Sequence, residues 1–203
     1  MKLQDFSFAI IADQVSSRSE TDRVPAALAA LADLPVALPF ERTAGDEVQG
    51  LATDPATVVA VVGRLTRLEG WRVGIGVGFV ELPLPDSTRA ARGSAYLAAR
   101  AAVAAARRRP TGLALETRPD VGGDRYGGMV DAATHAESAL WLYRSLLHRR
   151  SEEGWELMDL LDRGLTNTGA ATFLGISPSA VSQRLARAGR TEARRGESLC
   201  AHL

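Results

Sequence analysis

Short apolar runs alternate with amphipathic segments through the first 117 residues, and this alternation limits the folds that the chain can adopt. The runs have the length and β-branched content of strands, and the segments between them have helix length and helix end signals. Strands are predicted at 6–12, 36–43, 47–51, 71–82 and 112–117, and helices at 20–33, 54–68 and 93–109. The order β-α-β-β-α-β-α-β requires crossover connections, so we predict an α+β fold with a mixed sheet and helices on one face.

The pattern changes after this alternation ends. Residues 118–130 carry four glycines and a proline, and we interpret them as a linker. The alternative, a glycine-rich phosphate loop, lacks the following Lys-Ser/Thr pair. From 131 onward only helical patterns occur. We therefore predict two domains, 1–120 and 131–203, of which the second is all α.

Composition excludes several classes of protein. The chain has 24 basic and 24 acidic residues, so bulk charge cannot hold it on nucleic acid and any such binding needs a local patch. The single cysteine, Cys200, excludes an internal disulfide framework and a cysteine-based zinc site. No apolar run reaches 18 residues, which predicts no membrane contact, and we expect a cytoplasmic protein.

Residues 165–189 combine three helix signals at short spacing. Ala170 and Ala171 are small enough to let a second helix approach, and Gly175 is able to take the left-handed conformation that ends a helix. Ser177 and Pro178 then form the preferred pair of N-cap and first helical residue. This pattern resembles the DNA-binding helix-turn-helix of transcriptional regulators and sigma-factor-like proteins.

The second of these helices carries the residues that we expect to contact DNA. Ser179, Ser182, Gln183 and Arg187 would face the base edges, and Arg184 and Arg190 the phosphates. Local charge favours this interpretation, because six arginines and one acid occur between 163 and 195, after five acids between 152 and 162. The alternative is a helical hairpin that only packs on a partner.

Two carboxylates occupy strand ends in the first domain. Asp13 ends the first strand, and Asp46 lies in the hairpin between the next two. Neighbouring strands of one sheet bring such ends together, and paired carboxylates there are able to hold the Mg²⁺ ions of a nucleotidyl-transfer site. The alternative is that both are ordinary turn and cap residues.

Four motifs in order through residues 6–108 resemble the SatD family, which is itself similar to the ferredoxin-like palm of class III nucleotidyl cyclases and diguanylate cyclases. They are the run 10–18 (IIADQVSSR), the turn 44–51 (AGDEVQGL), the strand 72–78 (RVGIGVG) and the helix 93–100 (GSAYLAAR). The resemblance implies that Asp13, Asp46 and Glu47 bind metal and that Arg100 contacts a triphosphate. It also implies that the backbone amides of Gln14, Val15, Ser16 and Ser17 cradle phosphate. Tyr96 stands where the cyclase helix has an asparagine.

Together these features predict a DNA-binding regulator whose palm-like domain binds a nucleotide with Mg²⁺ or mediates dimerisation. A homodimer is expected, because helix-turn-helix units commonly bind paired half-sites. The alternative is an active Mg²⁺-dependent nucleotidyl cyclase or cyclic (di)nucleotide synthase with a regulatory helical tail. A structural adaptor with neither activity is the third possibility.

Overall fold

The chain forms a five-stranded sheet with helices packed on it, followed by a small cluster of helices. The computed structural model describes residues 6–17, 21–118 and 127–202. The strands are β1 (Ser7–Gln14), β2 (Leu38–Arg42), β3 (Glu47–Ala52), β4 (Trp71–Gly78) and β5 (Leu113–Thr117). The helices are α1 (Val24–Leu31), α2 (Pro55–Leu68), α3 (Ser94–Ala106), α4 (Gly127–His148), α5 (Glu152–Asp162), α6 (Asn167–Leu174), α7 (Pro178–Arg187) and α8 (Arg190–His202). The predicted α+β class and the order of its elements are confirmed.

The sheet is mixed, with strand order β2-β3-β1-β4-β5. Strand β1 lies at the centre and is antiparallel to both β3 and β4, whereas β4 and β5 run parallel. The register places Asp13 opposite Glu47 on one side and opposite Arg72 on the other. Pairing of the strands therefore brings the end of β1 beside the beginning of β3.

Helices cover both faces of the sheet, so the prediction of helices on one face was wrong. Successive side chains of a strand point to opposite faces, and β1 is apolar on both. Ile10 and Ala12 join a core formed with α1, α2, α4 and α8, while Ala9 and Ile11 pack against α3 on the other side. A central strand with two apolar faces requires cover on each of them.

The alternating glycines of β4 let α3 lie directly on the sheet. An ideal Cβ on Gly74 would lie 2.2 Å from the backbone nitrogen of Val103, and one on Gly76 would lie 2.1 Å from that of Ala99. Gly78 is similarly covered by the start of α3. The buried face of α3 consists largely of alanine, and the two small surfaces meet backbone to backbone.

Helix α4 covers the edge strand β5 with hydrogen bonds from its side chains. The indole nitrogen of Trp141 donates to the carbonyl of Leu113 at 2.9 Å, and the backbone N–H of Leu115 donates to Glu137 at 3.2 Å. Arg144 is 2 % exposed, and its guanidinium donates to the carbonyls of Trp71 (2.5 Å) and Gly112 (3.1 Å). The bonds to Leu113 and Leu115 satisfy backbone groups that an uncovered edge strand would leave unpaired.

The second part of the chain contributes to two separate cores. From it, α4 and α8 add residues to the core of the sheet, whereas α5, α6 and α7 surround a core of their own. The division into domains 1–120 and 131–203 stays a prediction. Of the predicted linker 118–130, residues 119–126 lie outside the described residues, and 127–130 already belong to α4. None of the described helices is long and apolar enough to cross a membrane.

Candidate nucleic-acid interface and acidic corner

Local capping chemistry defines the three-helix cluster α5–α7. Thr166 caps α6 by accepting a hydrogen bond from the N–H of Gly169 at 3.1 Å, and Ser177 caps α7 by accepting one from Ala180 at 3.1 Å. Gly175 ends α6 in the left-handed conformation, with φ of 64°. These are the residues at which the sequence signals the turn, and the helix α6 begins and ends where it was predicted.

The core of this cluster fixes which side of α7 faces outward. Val181 is fully buried and Leu185 is partly buried against α5 and α6. The buried partners from the other two helices are Leu157, Met158, Leu160, Leu161, Ala170 and Ala171. One side of α7 is therefore committed to packing, and its opposite side is left to solvent.

The outward side of α7 carries four of the predicted base-contacting residues. Ser179, Ser182, Gln183 and Arg187 are all exposed. Arg184 lies nearer the cluster, where its guanidinium is half-buried and 3.8 Å from the carboxylate of Glu156. The exposed set spans consecutive turns of one helix face, which is the arrangement that a groove-reading helix presents.

A groove of about 560 Å³ runs beside this face and contains an arginine that the sequence patterns did not single out. Gln183, Arg184 and Arg187 line it from α7, and Arg149 lines it from the turn before α5. Glu153 also lines this groove, and among the described residues that line it, Glu153 is the acidic one. The basic pair 149–150 at the end of α4 was the available signal for Arg149.

Arg190 lies elsewhere. It is half-buried and lines a second cleft, together with Arg67, Arg150, Trp155 and Asp159. This cleft of about 340 Å³ separates α2 from α5 and α8. The structure therefore does not bring Arg190 together with the outward side of α7.

The predicted metal-binding acids meet at one corner of the sheet, where arginines neutralise them. Asp13 is 9 % exposed and lies 3.4 Å from the guanidinium of Arg72 and 3.5 Å from that of Arg107. Glu47 forms an ion pair of 2.5 Å with Arg100, and Thr43 also donates to it at 2.5 Å.

Asp46 accepts a hydrogen bond from the hydroxyl of Ser17. The structure thus brings together the three predicted acids, Ser17 and the predicted phosphate arginine, and adds Arg72 and Arg107 to the corner. These two arginines were missed because their partner, Asp13, is distant in sequence.

Half of the predicted phosphate cradle is occupied by the protein's own hydrogen bonds. The N–H of Gln14 donates to the carbonyl of Asp46 at 3.0 Å, and that of Val15 to the carbonyl of Gly70 at 2.8 Å. The Gln14 side chain is buried; its amide nitrogen donates to the carbonyl of Thr21 at 2.8 Å, and its amide oxygen accepts from the N–H of Arg23 at 2.9 Å. Ser16, with φ of 58°, and Ser17 form the turn that follows. Two of the four amides are therefore committed to carbonyl groups.

The acids of the corner do not form a resident metal site while they are paired as they are here. Within the described ranges, no group of three or more His, Cys, Asp or Glu side chains is arranged to hold a metal ion. The acids of the corner have arginine or hydroxyl partners instead. Mg²⁺ requires several oxygen ligands in near-octahedral geometry, so the corner as it stands does not provide a resident magnesium site.

Tyr96 links α3 to the segment that follows β4. Its hydroxyl lies 3.2 Å from that of Thr88, and the Gln49 side chain donates to the Thr88 carbonyl at 2.8 Å. Val80, Leu84 and Ala91 of the same segment pack on the core between the sheet and α3. The space beside α3 on this face of the sheet is thus filled by the chain itself.

No protein-family model and no curated protein matches the chain. A solved structure of a regulator of polyketide synthase expression from Bifidobacterium adolescentis is similar over 97% of this chain and 77% of that one, at 17% identity and a TM-score of 0.28. A similarity of this size leaves function to be argued from the site itself.

Proposed function

We propose that this protein binds double-stranded DNA, with α7 as the helix that enters the major groove. The observation that carries the proposal is the two-sided character of α7. Val181 anchors one side in the core of the cluster, and Ser179, Ser182, Gln183 and Arg187 are exposed on the other. Gln and Arg are the side chains suited to adenine and guanine edges, so the exposed set has the chemistry of direct base reading.

The charges around α7 support contact with the phosphate backbone. Arg149 and Arg187 are exposed, and neither forms an ion pair with a described residue. Of the acids in α5, Asp159 is turned away and pairs with Arg67 of the sheet domain. Glu153 lines the groove and Glu156 lies 3.8 Å from Arg184, so Arg149 and Arg187 are the basic groups left to contact phosphates. Binding through such contacts weakens as salt rises.

The test first selects a preferred duplex from a random pool with the wild type, and then compares two variants with the wild type on that selected duplex, using fluorescence anisotropy at several salt concentrations. Gln183→Ala/Arg187→Ala removes the two largest groups from the outward side of α7. Arg108→Ala removes the same net charge from an exposed position beyond the end of α3. The double variant is expected to lose about tenfold or more in affinity, since each bidentate base contact contributes roughly 1–3 kcal/mol. Equal affinities of the double variant and the wild type would refute the proposal.

We further propose that the DNA-binding form is a homodimer. Helix-turn-helix proteins commonly bind two half-sites about one duplex turn apart, through two-fold symmetric contacts. Phe173 on α6 and Leu142 on α4 are 67% and 74% exposed, and they are large apolar side chains suited to such contacts. Analytical ultracentrifugation of the protein with and without the selected duplex tests the homodimer. A single protein copy bound per duplex would contradict the proposal.

A second proposal concerns the acidic corner, which we infer to bind a nucleotide that carries its own Mg²⁺. Arg100 and Arg107 have side chains 59% and 65% exposed, so phosphate groups are able to reach them. Phosphates would pair with these arginines, and the released carboxylates of Asp13 and Glu47 would face the metal. The observation that favours this exchange is that the two exposed arginines are already paired with predicted metal-binding acids, Arg100 with Glu47 and Arg107 with Asp13.

Differential scanning fluorimetry with ATP or GTP and Mg²⁺ tests this second proposal. A nucleotide at about one hundred times its dissociation constant stabilises the folded protein by roughly 2.7 kcal/mol. The shift should vanish in Arg100→Ala and persist in Arg108→Ala. Mass spectrometry of the same mixtures tests the alternative of a cyclase or cyclic (di)nucleotide synthase. A wild type that shows no nucleotide-dependent shift and no product refutes both.

A further inference from the structure

An apolar cavity of about 110 Å³ lies between the sheet and the two long helices of the second part of the chain. Three groups of residues line it: Phe6, Phe8, Val77, Leu115 and Thr117 from the sheet, Pro55, Val58 and Val59 from α2, and Ala132, Ala133, Ala136, Leu140 and Cys200 from α4 and α8. The three alanines of α4 leave the room that larger side chains would fill. Ala133 and Ala136 are half-buried, as are the lining residues from the sheet, so the cavity opens to solvent.

The chemistry of the lining selects the kind of occupant. Among the described lining residues, the polar side-chain atoms are the Thr117 hydroxyl and the Cys200 thiol. Burial raises the pKa of that thiol to about 11, so it is neutral at physiological pH. Cavities lined by apolar side chains do not hold ordered water, and one of roughly 150 Å³ accommodates benzene. The lining therefore favours an apolar occupant, and the volume of about 110 Å³ limits that occupant to one small ring.

We propose that this cavity binds a small apolar molecule, about the size of one six-membered ring, and that its occupancy alters DNA binding through α4 and α8. The second half of the proposal rests on the proposed function of α7. The cavity is separate from the acidic corner, because no residue of the corner lines it.

The coupling follows from the connectivity of the chain. The cluster α5–α7 is joined to the rest of the chain by two short connections. Residues 149–151 join it to α4, and residues 188–189 join it to α8, and both of these helices line the cavity. Arg150 adds a hydrogen bond of 3.0 Å from its Nε to the carbonyl of Ala188, which ties the two connections together. A molecule that changes how α4 and α8 sit on the sheet therefore changes how α7 is held.

Toluene is the probe for the first half of the proposal. The melting temperature of the full chain is measured at rising toluene concentration, in parallel with isothermal titration calorimetry. The wild type should show a saturable increase in melting temperature. Ala136→Leu, which fills the cavity from α4, should melt at or above the wild-type temperature without toluene and show no increase with it. Ala104→Leu places the same side chain on an exposed position of α3 and should respond like the wild type.

No saturable response of the wild type, or an equal response of Ala136→Leu, would overturn the cavity as a binding site. The affinity for selected duplex is then measured with and without toluene. A change of threefold or more in the wild type, absent in Ala136→Leu, supports the coupling, and an unchanged affinity overturns it. A chain that binds no DNA under any condition refutes the proposed function instead, while the titrations still decide the cavity.

Discussion

Arg67 of α2 and Asp159 of α5 form a salt bridge with two hydrogen bonds, at 2.6 and 2.7 Å, and so join the sheet domain to the helical cluster. The pair stands beside Trp155, whose ring centre lies 5.0 Å from the Arg67 guanidinium and 4.3 Å from that of Arg150. The guanidinium of Arg67 holds the pKa of Asp159 below its usual value. This contact is one of those that hold α5 against α2.

The Arg67–Asp159 contact predicts how stability responds to Asp159→Asn and to pH. The Arg67 and Asp159 side chains are 43% and 34% exposed, so solvent screens the pair. We therefore expect Asp159→Asn to lower the free energy of unfolding by about 1 kcal/mol or less near neutral pH. Because the folded pKa of Asp159 is lowered, its contribution is present above the unfolded pKa of about 3.9 and is lost as pH falls through the folded value. Urea unfolding near pH 7 and near pH 3 should show the difference between variant and wild type shrinking in acid. A difference that persists in acid would contradict this account, and Asp131→Asn is the control.

Trp141→Phe tests the cover of the edge strand. The change keeps an aromatic ring and removes the indole N–H that donates to the Leu113 carbonyl. A carbonyl left without its donor costs roughly 1–3 kcal/mol when buried, and we expect a loss of about 1 kcal/mol at this half-buried position. Trp155→Phe is the matched control, because no hydrogen bond from its indole to a described residue is present and it retains a ring for its arginines. Chemical denaturation measures both, and equal losses would show that the hydrogen bond is unimportant.

Gly76→Ala should disrupt the packing of α3 on β4. The added methyl group would lie 2.1 Å from the Ala95 carbonyl oxygen and from the Ala99 nitrogen, and both are backbone atoms. We expect a loss of about 3 kcal/mol or more, at the upper end for overpacked sites. In Gly169→Ala the nearest atom is 3.4 Å away, and this change within α6 should be neutral or slightly stabilising. Thermal unfolding distinguishes the two, and a stable Gly76→Ala protein would refute the close contact.

Arg149→Ala should reduce the salt dependence of DNA binding. If Arg149 contacts one phosphate, its removal lowers the slope of log affinity against log salt by about 1, with the same effect on all duplex sequences. Arg108→Ala should leave the slope unchanged. Anisotropy titrations on selected and unselected duplexes provide the measurement. An unchanged slope for Arg149→Ala would exclude this arginine from the interface.

The elements that could be predicted are those whose signals are local. Ser177 and Pro178 begin α7, and Gly175 ends α6, because capping and left-handed turns depend on a few neighbouring residues. The sequence also predicted that Asp13 and the hairpin residue Asp46 lie close together, and the register places Asp13 opposite Glu47, the next residue. The sheet order and the second layer formed by α3 needed the structure, because they depend on which apolar face meets which helix.

The amino-acid sequence by itself determined the class of fold, the order of its elements, and the exposed polar side of α7 opposite Val181. The tertiary structure alone decided that Arg72, Arg100 and Arg107 neutralise the acidic corner. It also decided that α4 covers β5 and that α4 and α8 enclose an apolar cavity. The physical reason is the range of the interactions. Helix caps and hydrophobic periodicity depend on residues a few positions apart in sequence, whereas ion pairs and cavities join residues that are far apart in sequence and become neighbours only in the folded protein.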